Sequence, residues 1–189
     1  MFRADPFEKL RGLLKPFGDA DARAAVAMLL KREKEDLEVL LVKRAVSPSD
    51  PWSGDMAFPG GRRHPEDLDL METVTREMKE ETGIDLLGCC FLGTLDVTAS
   101  SVAPKLGVLP FVFLCAENLE ISLSPELCSY LWAPLKQLEL SRGRYRVHKG
   151  EVSSYLVEGE VVWGLTYRML ENLLRLIGKA ASDEAAPPG

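Results

Sequence analysis

Three glutamates, Glu77, Glu80 and Glu81, stand at positions i, i+3 and i+4. On a helix advancing about 100° per residue they share roughly a third of the circumference. Carboxylates crowded in this way repel one another unless a cation sits among them. Hard oxygen ligands on a rigid element suit Mg²⁺ or Mn²⁺, with water and a phosphate completing the coordination. A solvated acidic face is the plain alternative, because Glu is a good helix former. Two neighbours favour the metal: the turn Pro59-Gly60-Gly61 upstream and Arg76 directly before Glu77. At such a turn the backbone can take φ > 0 and approach a ligand without a Cβ in the way.

The element that must carry these acids is a helix expected over about Leu70–Thr82. Asp69 is its N-cap, Glu72 three residues on completes a capping box, and Gly83 is the C′ residue. Met71, Val74 and Met78 form a separate apolar stripe that can pack on a core.

The run Arg76-Glu77-Met78-Lys79-Glu80-Glu81-Thr82-Gly83-Ile84 resembles, without a gap, the second half of the signature box of the Nudix hydrolases, Arg-Glu-apolar-x-Glu-Glu-x-Gly-apolar. The first half departs from that box. Five residues separate Gly61 from Asp67, which stands where the box has Glu, and eight rather than seven residues separate Asp67 from Arg76. The same extra residue, preceded by Phe-Pro-Gly-Gly as at Phe58–Gly61, is similar to the coenzyme A pyrophosphatase-like branch of the family. Arg44 and Gly54 also follow that branch's outline, whereas Pro51-Trp52-Ser53 replace its polar residues around the glycine.

The resemblance implies an α/β/α sandwich with a mixed β-sheet and a Mg²⁺- or Mn²⁺-dependent attack of water on a diphosphate. Glu77 and Glu81, one turn apart, are then the principal metal ligands, with Glu80 as a further ligand or water-orienting group and the Gly61 carbonyl directed at the same ion. Glu77, Arg76 and Glu80 are the expected catalytic set, Arg76 by fixing a neighbouring carboxylate. Arg44, Arg62 and Gly60 are the expected substrate contacts. The general base is Glu77 or a later acid, with Glu126, Glu151, Glu158 and Glu160 all open. The favoured substrate is coenzyme A or a derivative; ADP-ribose, a dinucleotide or a nucleoside triphosphate is the alternative. A nucleotide-binding sensor without catalysis is a third reading, disfavoured because all three box acids are present.

The whole chain sets wider bounds. Its 189 residues, 46% hydrophobic and 28% charged, suit one domain with a substantial core, expected over 1–180, with 181–189 too small and polar to pack. A formal net charge of −6 and the absence of a basic block argue against nucleic acid as partner. Arg62 and Arg63, beside the glycine turn, either meet a small anion or are solvated. No apolar run approaches the ~20 residues that span a bilayer, and no signal-peptide core opens the chain. Cys89, Cys90, Cys115 and Cys128 lack a zinc-like spacing and read as reduced, mostly buried residues of a cytoplasmic protein.

Around the box, apolar spacing predicts a short helix over 6–17, which suits a homodimer as well as a monomer. Strands are expected over 23–30 and 37–45 as a hairpin, and over 91–98 and 107–116. A strand ending in a Pro turn and short helix occupies 131–138, and a second hairpin pairs 144–149 with 152–157. Residues 161–177 read as a strand end and an amphipathic helix, with Trp163 and Tyr167 as packing residues. The loop 46–55, rich in Pro, Ser, Asp and Gly, feeds the glycine turn and carries Trp52, an aromatic able to stack a base. Phe58 reads as core, and His64 has no assigned role.

Overall fold

The computed structural model describes residues 6–18, 21–34, 36–48, 50, 52–100, 106–115 and 119–185. Helix α1 (Pro6–Leu13) precedes an antiparallel hairpin of β1 (Ala24–Glu33) and β2 (Asp36–Arg44). Short strands β3 (Met56–Ala57) and β4 (Gly60–Arg62) lead into helix α2 (Leu70–Thr82). After a 3-10 turn at Leu86–Gly88 come β5 (Cys90–Thr94), β6 (Thr98–Ala99), β7 (Gly107–Leu114) and β8 (Leu127–Pro134). Short helix α3 (Leu135–Leu140), strands β9 (Gly143–Val147), β10 (Gly150–Val157) and β11 (Glu160–Trp163), and helix α4 (Gly164–Ala185) complete the order.

Among the described residues, strand β1 is the hub of an eight-stranded mixed sheet. It runs parallel to β7 from Ala24 to Leu30, and antiparallel to β4 at its start and β2 at its end. Both faces of β1 are covered, which explains its almost unbroken apolar sequence. Ala25, Ala27 and Leu29 join Leu70, Val74 and Met78 of α2 in one core; Met28 and Leu30 join Met169, Leu170 and Leu173 of α4 in the other. Period-two alternation therefore sorts one strand between two helical layers. The result is the expected α/β/α sandwich. Strands β9, β10 and β11 form a separate antiparallel meander packed on α4 and α3.

The β4–β1 pairing explains one glycine. Gly60 has φ 143°, and a Cβ there would lie 2.3 Å from the Ala25 carbonyl oxygen. The backbones are too close for any side chain. Gly60→Ala is expected to destabilise the protein by about 2–4 kcal/mol through strain and overpacking. A urea-unfolding midpoint checks this, and an unchanged midpoint contradicts the packing described.

Three parts of the structure differ from the sequence reading. Helix α1 stops at Leu13, and Phe17 instead packs against Phe111 with ring centroids 5.2 Å apart. Helix α4 continues to Ala185, through residues expected to be unstructured, with Ala180 buried and Ser182 Oγ donating to the Gly178 carbonyl at 2.8 Å. Residues 186–189 and the connection 101–105 lie outside the described residues. All four cysteines are free as expected, but Cys115 alone is buried; Cys89 is half-buried, and Cys90 and Cys128 are exposed. Among the described residues no helix is long and apolar enough to cross a membrane.

Candidate active site

Helix α2 begins and ends where its caps require. The Asp69 carboxylate accepts the Glu72 N–H at 2.9 Å, and Gly83 closes the helix at φ 74° with its N–H on the Lys79 carbonyl. The Glu72 carboxylate reaches back to the Leu68 N–H at 2.5 Å, one residue earlier than a capping box predicts. Because Val74 and Met78 are fully buried under the sheet, Glu77 and Glu81 are directed along the side that meets β4.

The loop before α2 is organised by Asp67, the residue that departs from the family box. Its carboxylate, 5% exposed, takes Arg76 Nε on Oδ1 and Arg76 Nη2 on Oδ2, both at 3.0 Å. The His64 N–H at 2.8 Å and Thr73 Oγ1 at 2.9 Å also donate to Oδ2. The Arg76 guanidinium holds this carboxyl well below the usual carboxylate range, aided by those two donors and opposed by burial. Arg76 Nη1 then donates to Glu77 Oε1 and Glu80 Oε2, each at 3.0 Å. Asp67 thus fixes Arg76, and Arg76 fixes two of the box acids. That is the role expected of Arg76; the role of Asp67 was not anticipated.

Glu81 is 5% exposed and accepts the Gly60 N–H on Oε2 at 2.8 Å. Burial pushes its pKa up to about 7; the charges of Glu77 and Glu126 add to this, and the Gly60 N–H opposes it. Burial also raises Glu77, against the pull of Arg76. A Cβ on Gly61 would lie 2.4 Å from Glu77 Oε1, so the missing side chain of Gly61 is the space the carboxylate occupies. The Gly60 N–H is already engaged by Glu81, so Gly60 acts on the site by orienting that carboxylate.

Glu77, Glu80 and Glu81 share a cavity of about 480 Å³ with Gly60, Gly61, Arg44, Arg62 and Trp52. Among the described residues no three acids or thiols are drawn together as a ready-made cation cage. The donor set nevertheless suits a divalent cation: hard oxygens of like charge, those of Glu77 and Glu81 with their ionised forms disfavoured by burial, face one cavity. A cation there relieves both the repulsion and the desolvation.

The four later acids now separate. Glu126 lines the cavity, whereas Glu160 pairs with Lys43 at 2.6 Å and Glu151 lies 3.8 Å from Arg144 on the β9–β10 hairpin. Glu158 sits at the β10–β11 turn with φ 50°.

The basic residues also divide. Arg44 and Arg62 line the cavity, with Arg44 Nε on Asp50 Oδ2 at 2.6 Å. Arg63 is turned onto the Asp67 and Leu68 carbonyls, where it braces the loop. Asp50 also accepts the Trp52 N–H at 3.0 Å, so one carboxylate ties the loop 46–55 to the end of β2. Phe58 is core, as expected, and its buried ring also borders the cavity.

Trp163 was expected only to pack on the last helix. It lines the cavity instead, donating its indole N–H to Asp55 Oδ1 at 3.0 Å, and Lys149 lines the cavity beside it. No local pattern marks either residue, because the meander reaches the site from 108 positions along the chain. Tyr167 does pack as expected, its ring centroid 5.0 Å from that of Tyr155.

A family model described as the NUDIX domain matches residues 21–155. A Yersinia enterocolitica (serotype O:8 / biotype 1B) protein named an uncharacterized Nudix hydrolase NudL is 33% identical over 145 residues, 73% of each chain. An uncharacterized protein of Schizosaccharomyces pombe is 37% identical over 116 residues, which is 58% of this chain but 35% of that longer one. The crystal structure of a C. elegans Ap4A hydrolase binary complex shares the fold, with a TM-score of 0.58 at 18% identity over 86% of this chain and 98% of that one. The box helix, the sandwich around it and these relatives agree: the chain belongs to the NUDIX domain family.

Proposed function

We propose that the protein uses Mg²⁺ or Mn²⁺ to hydrolyse the diphosphate linkage of a nucleoside diphosphate derivative, with coenzyme A or a derivative as the favoured substrate. The observation that carries this reading is the single cavity in which Glu77, Glu80, Glu81 and Glu126 meet the cations Arg44 and Arg62. Glu77 and Glu81 are the principal metal ligands, with Glu80 and the Gly61 carbonyl beside them. When bound, the cations neutralise phosphoryl oxygens and acidify the attacking water.

The chain's own residues do the positioning. The Gly60 N–H holds Glu81, and the Asp67–Arg76 pair holds Glu77 and Glu80, so these carboxylates need little reorganisation. Glu77 or Glu126 takes the proton of the water. Arg62 and Arg44 meet the phosphate oxygens, and Trp52 offers an apolar face to the base. Coenzyme A is favoured by Phe58-Pro59-Gly60-Gly61 and by the longer loop closed on Asp67. Four free cysteines suit a reducing compartment, the cytoplasm.

A panel of coenzyme A, dephospho-coenzyme A, ADP-ribose, a dinucleoside polyphosphate and a nucleoside triphosphate, with each metal and products resolved by mass, tests this reading. Release of 4′-phosphopantetheine and adenosine 3′,5′-bisphosphate is the expected result. Cleavage of other members alone replaces the substrate and retains the chemistry. No turnover on any member, in either metal, overturns the proposed function.

A further inference from the structure

We propose that Lys149 reads a second anionic group on the substrate, a phosphate monoester on the nucleoside half and separate from the linkage that is cut. This rests on the hydrolase reading for the identity of the substrate, but the presence of the subsite can be measured independently.

Lys149 is held at a defined place. Strands β9 and β10 are joined by the two-residue turn His148-Lys149, with Val147 paired to Gly150 across its base. The turn brings Lys149 to the cavity that contains the box acids. Its ammonium lies over the Trp163 ring, 4.9 Å from the centroid, and His148 meets the same ring edge-on at 5.3 Å. The ring is itself fixed, because its indole N–H donates to Asp55.

These contacts position the charge without cancelling it. An aromatic face attracts an ammonium but leaves its formal charge intact. Asp55 is the nearby acid, yet among the described residues Lys149 makes no ion-pair contact with a carboxylate. The other cations of the cavity are disposed differently. Arg44 is bound to Asp50 at 2.6 Å, and Arg62 adjoins Gly61 on β4, at the carboxylate end. Lys149 also covers one face of Trp163, so that face holds a charge in place and is not open to a stacking base.

The chemistry that matches such a group is a phosphate monoester. It carries between one and two negative charges near neutral pH and accepts a point-charge donor without demanding a planar fork. A diphosphate linkage met by carboxylate-held metal ions and by Arg44 and Arg62 leaves this further cation of the cavity without a partner. A nucleoside with a further phosphate on its ribose does.

The test compares binding of 5′-AMP and adenosine 3′,5′-bisphosphate by calorimetry, with and without Mg²⁺, to wild type, Lys149→Gln and Lys149→Arg. Wild type is expected to bind the bisphosphate about tenfold more tightly, as one charge-assisted contact allows. Lys149→Gln should bring the two affinities together, Lys149→Arg should retain most of the difference, and added salt should shrink it. Equal binding of the two nucleotides by wild type, binding of neither, or a preference that survives in Lys149→Gln overturns the proposal. A preference found in a protein that cleaves nothing in the panel keeps the subsite and rejects the hydrolase reading. Cleavage without the preference does the reverse.

Discussion

Glu81→Gln is expected to lower turnover by roughly 10²–10³-fold, a loss of about 3–4 kcal/mol of transition-state stabilisation. The substitution is nearly isosteric but removes a charged metal ligand. The fold should survive, and the metal-free protein should be as stable as wild type or more stable at pH 8. The sign follows from burial. The pKa of Glu81 is raised to about 7 in the folded protein, above its unfolded value of about 4.3. Unfolding therefore releases its proton more readily, and this group's contribution to stability declines from about pH 4 to pH 7. Glutamine has no proton to lose and escapes that decline.

Divalent cation should restore stability to wild type in proportion to its occupancy and do much less for Glu81→Gln. Thermal melts at several pH values, with and without Mg²⁺, measure both effects alongside the assay. Full metal-dependent activity in Glu81→Gln contradicts the ligand assignment. Glu126→Gln in the same assay separates the two groups: a loss of turnover with unchanged metal stabilisation marks Glu126 as a proton acceptor.

Asp67→Ala is expected to destabilise the protein by about 2–4 kcal/mol and to lower activity as well. Breaking a fully buried pair costs more, but the Arg76 side chain is 28% exposed and water can meet part of its charge. Two consequences combine in this variant. The loop loses the acceptor of Arg76, the His64 amide and Thr73 Oγ1, and Arg76 loses the contact that directs it onto Glu77 and Glu80. Asp67 is also an acid-side stabiliser. Its folded pKa lies below its unfolded value of about 3.9, so its stabilisation is complete above that value and is lost as pH falls through the acid range. Wild type should lose stability steeply below about pH 4, and Asp67→Ala should show a flatter profile there. A variant with wild-type stability at pH 7 contradicts the role described for this pair.

The sequence alone determined the box helix and both of its caps, because these depend on residues within four positions of one another. Asp69, Glu72 and Gly83 act locally, and the 3.6-residue repeat separates the core stripe from the acids. Strand β1 was legible for a similar reason: an apolar run bounded by a polar turn can satisfy its period in few other ways. The layering followed from the family resemblance that the box residues carry.

Only the tertiary structure decided which distant residues join the box. Glu126 could not be told from Glu151, Glu158 and Glu160 by residue type, because the distinction is where each strand end falls and which cation lies nearby. Lys43 and Arg44 are adjacent in sequence, yet one pairs with Glu160 and the other borders the cavity. Trp163 ends strand β11 and Lys149 sits in the β9–β10 turn, and their place in the cavity comes from the packing of the meander against the main sheet. Asp67 departs from the box in residue type and spacing, and what it holds is set by four donors that the fold brings to it. Helical spacing acts over one or two turns, whereas burial, which sets the charge state of Glu81, is a property of everything packed around it.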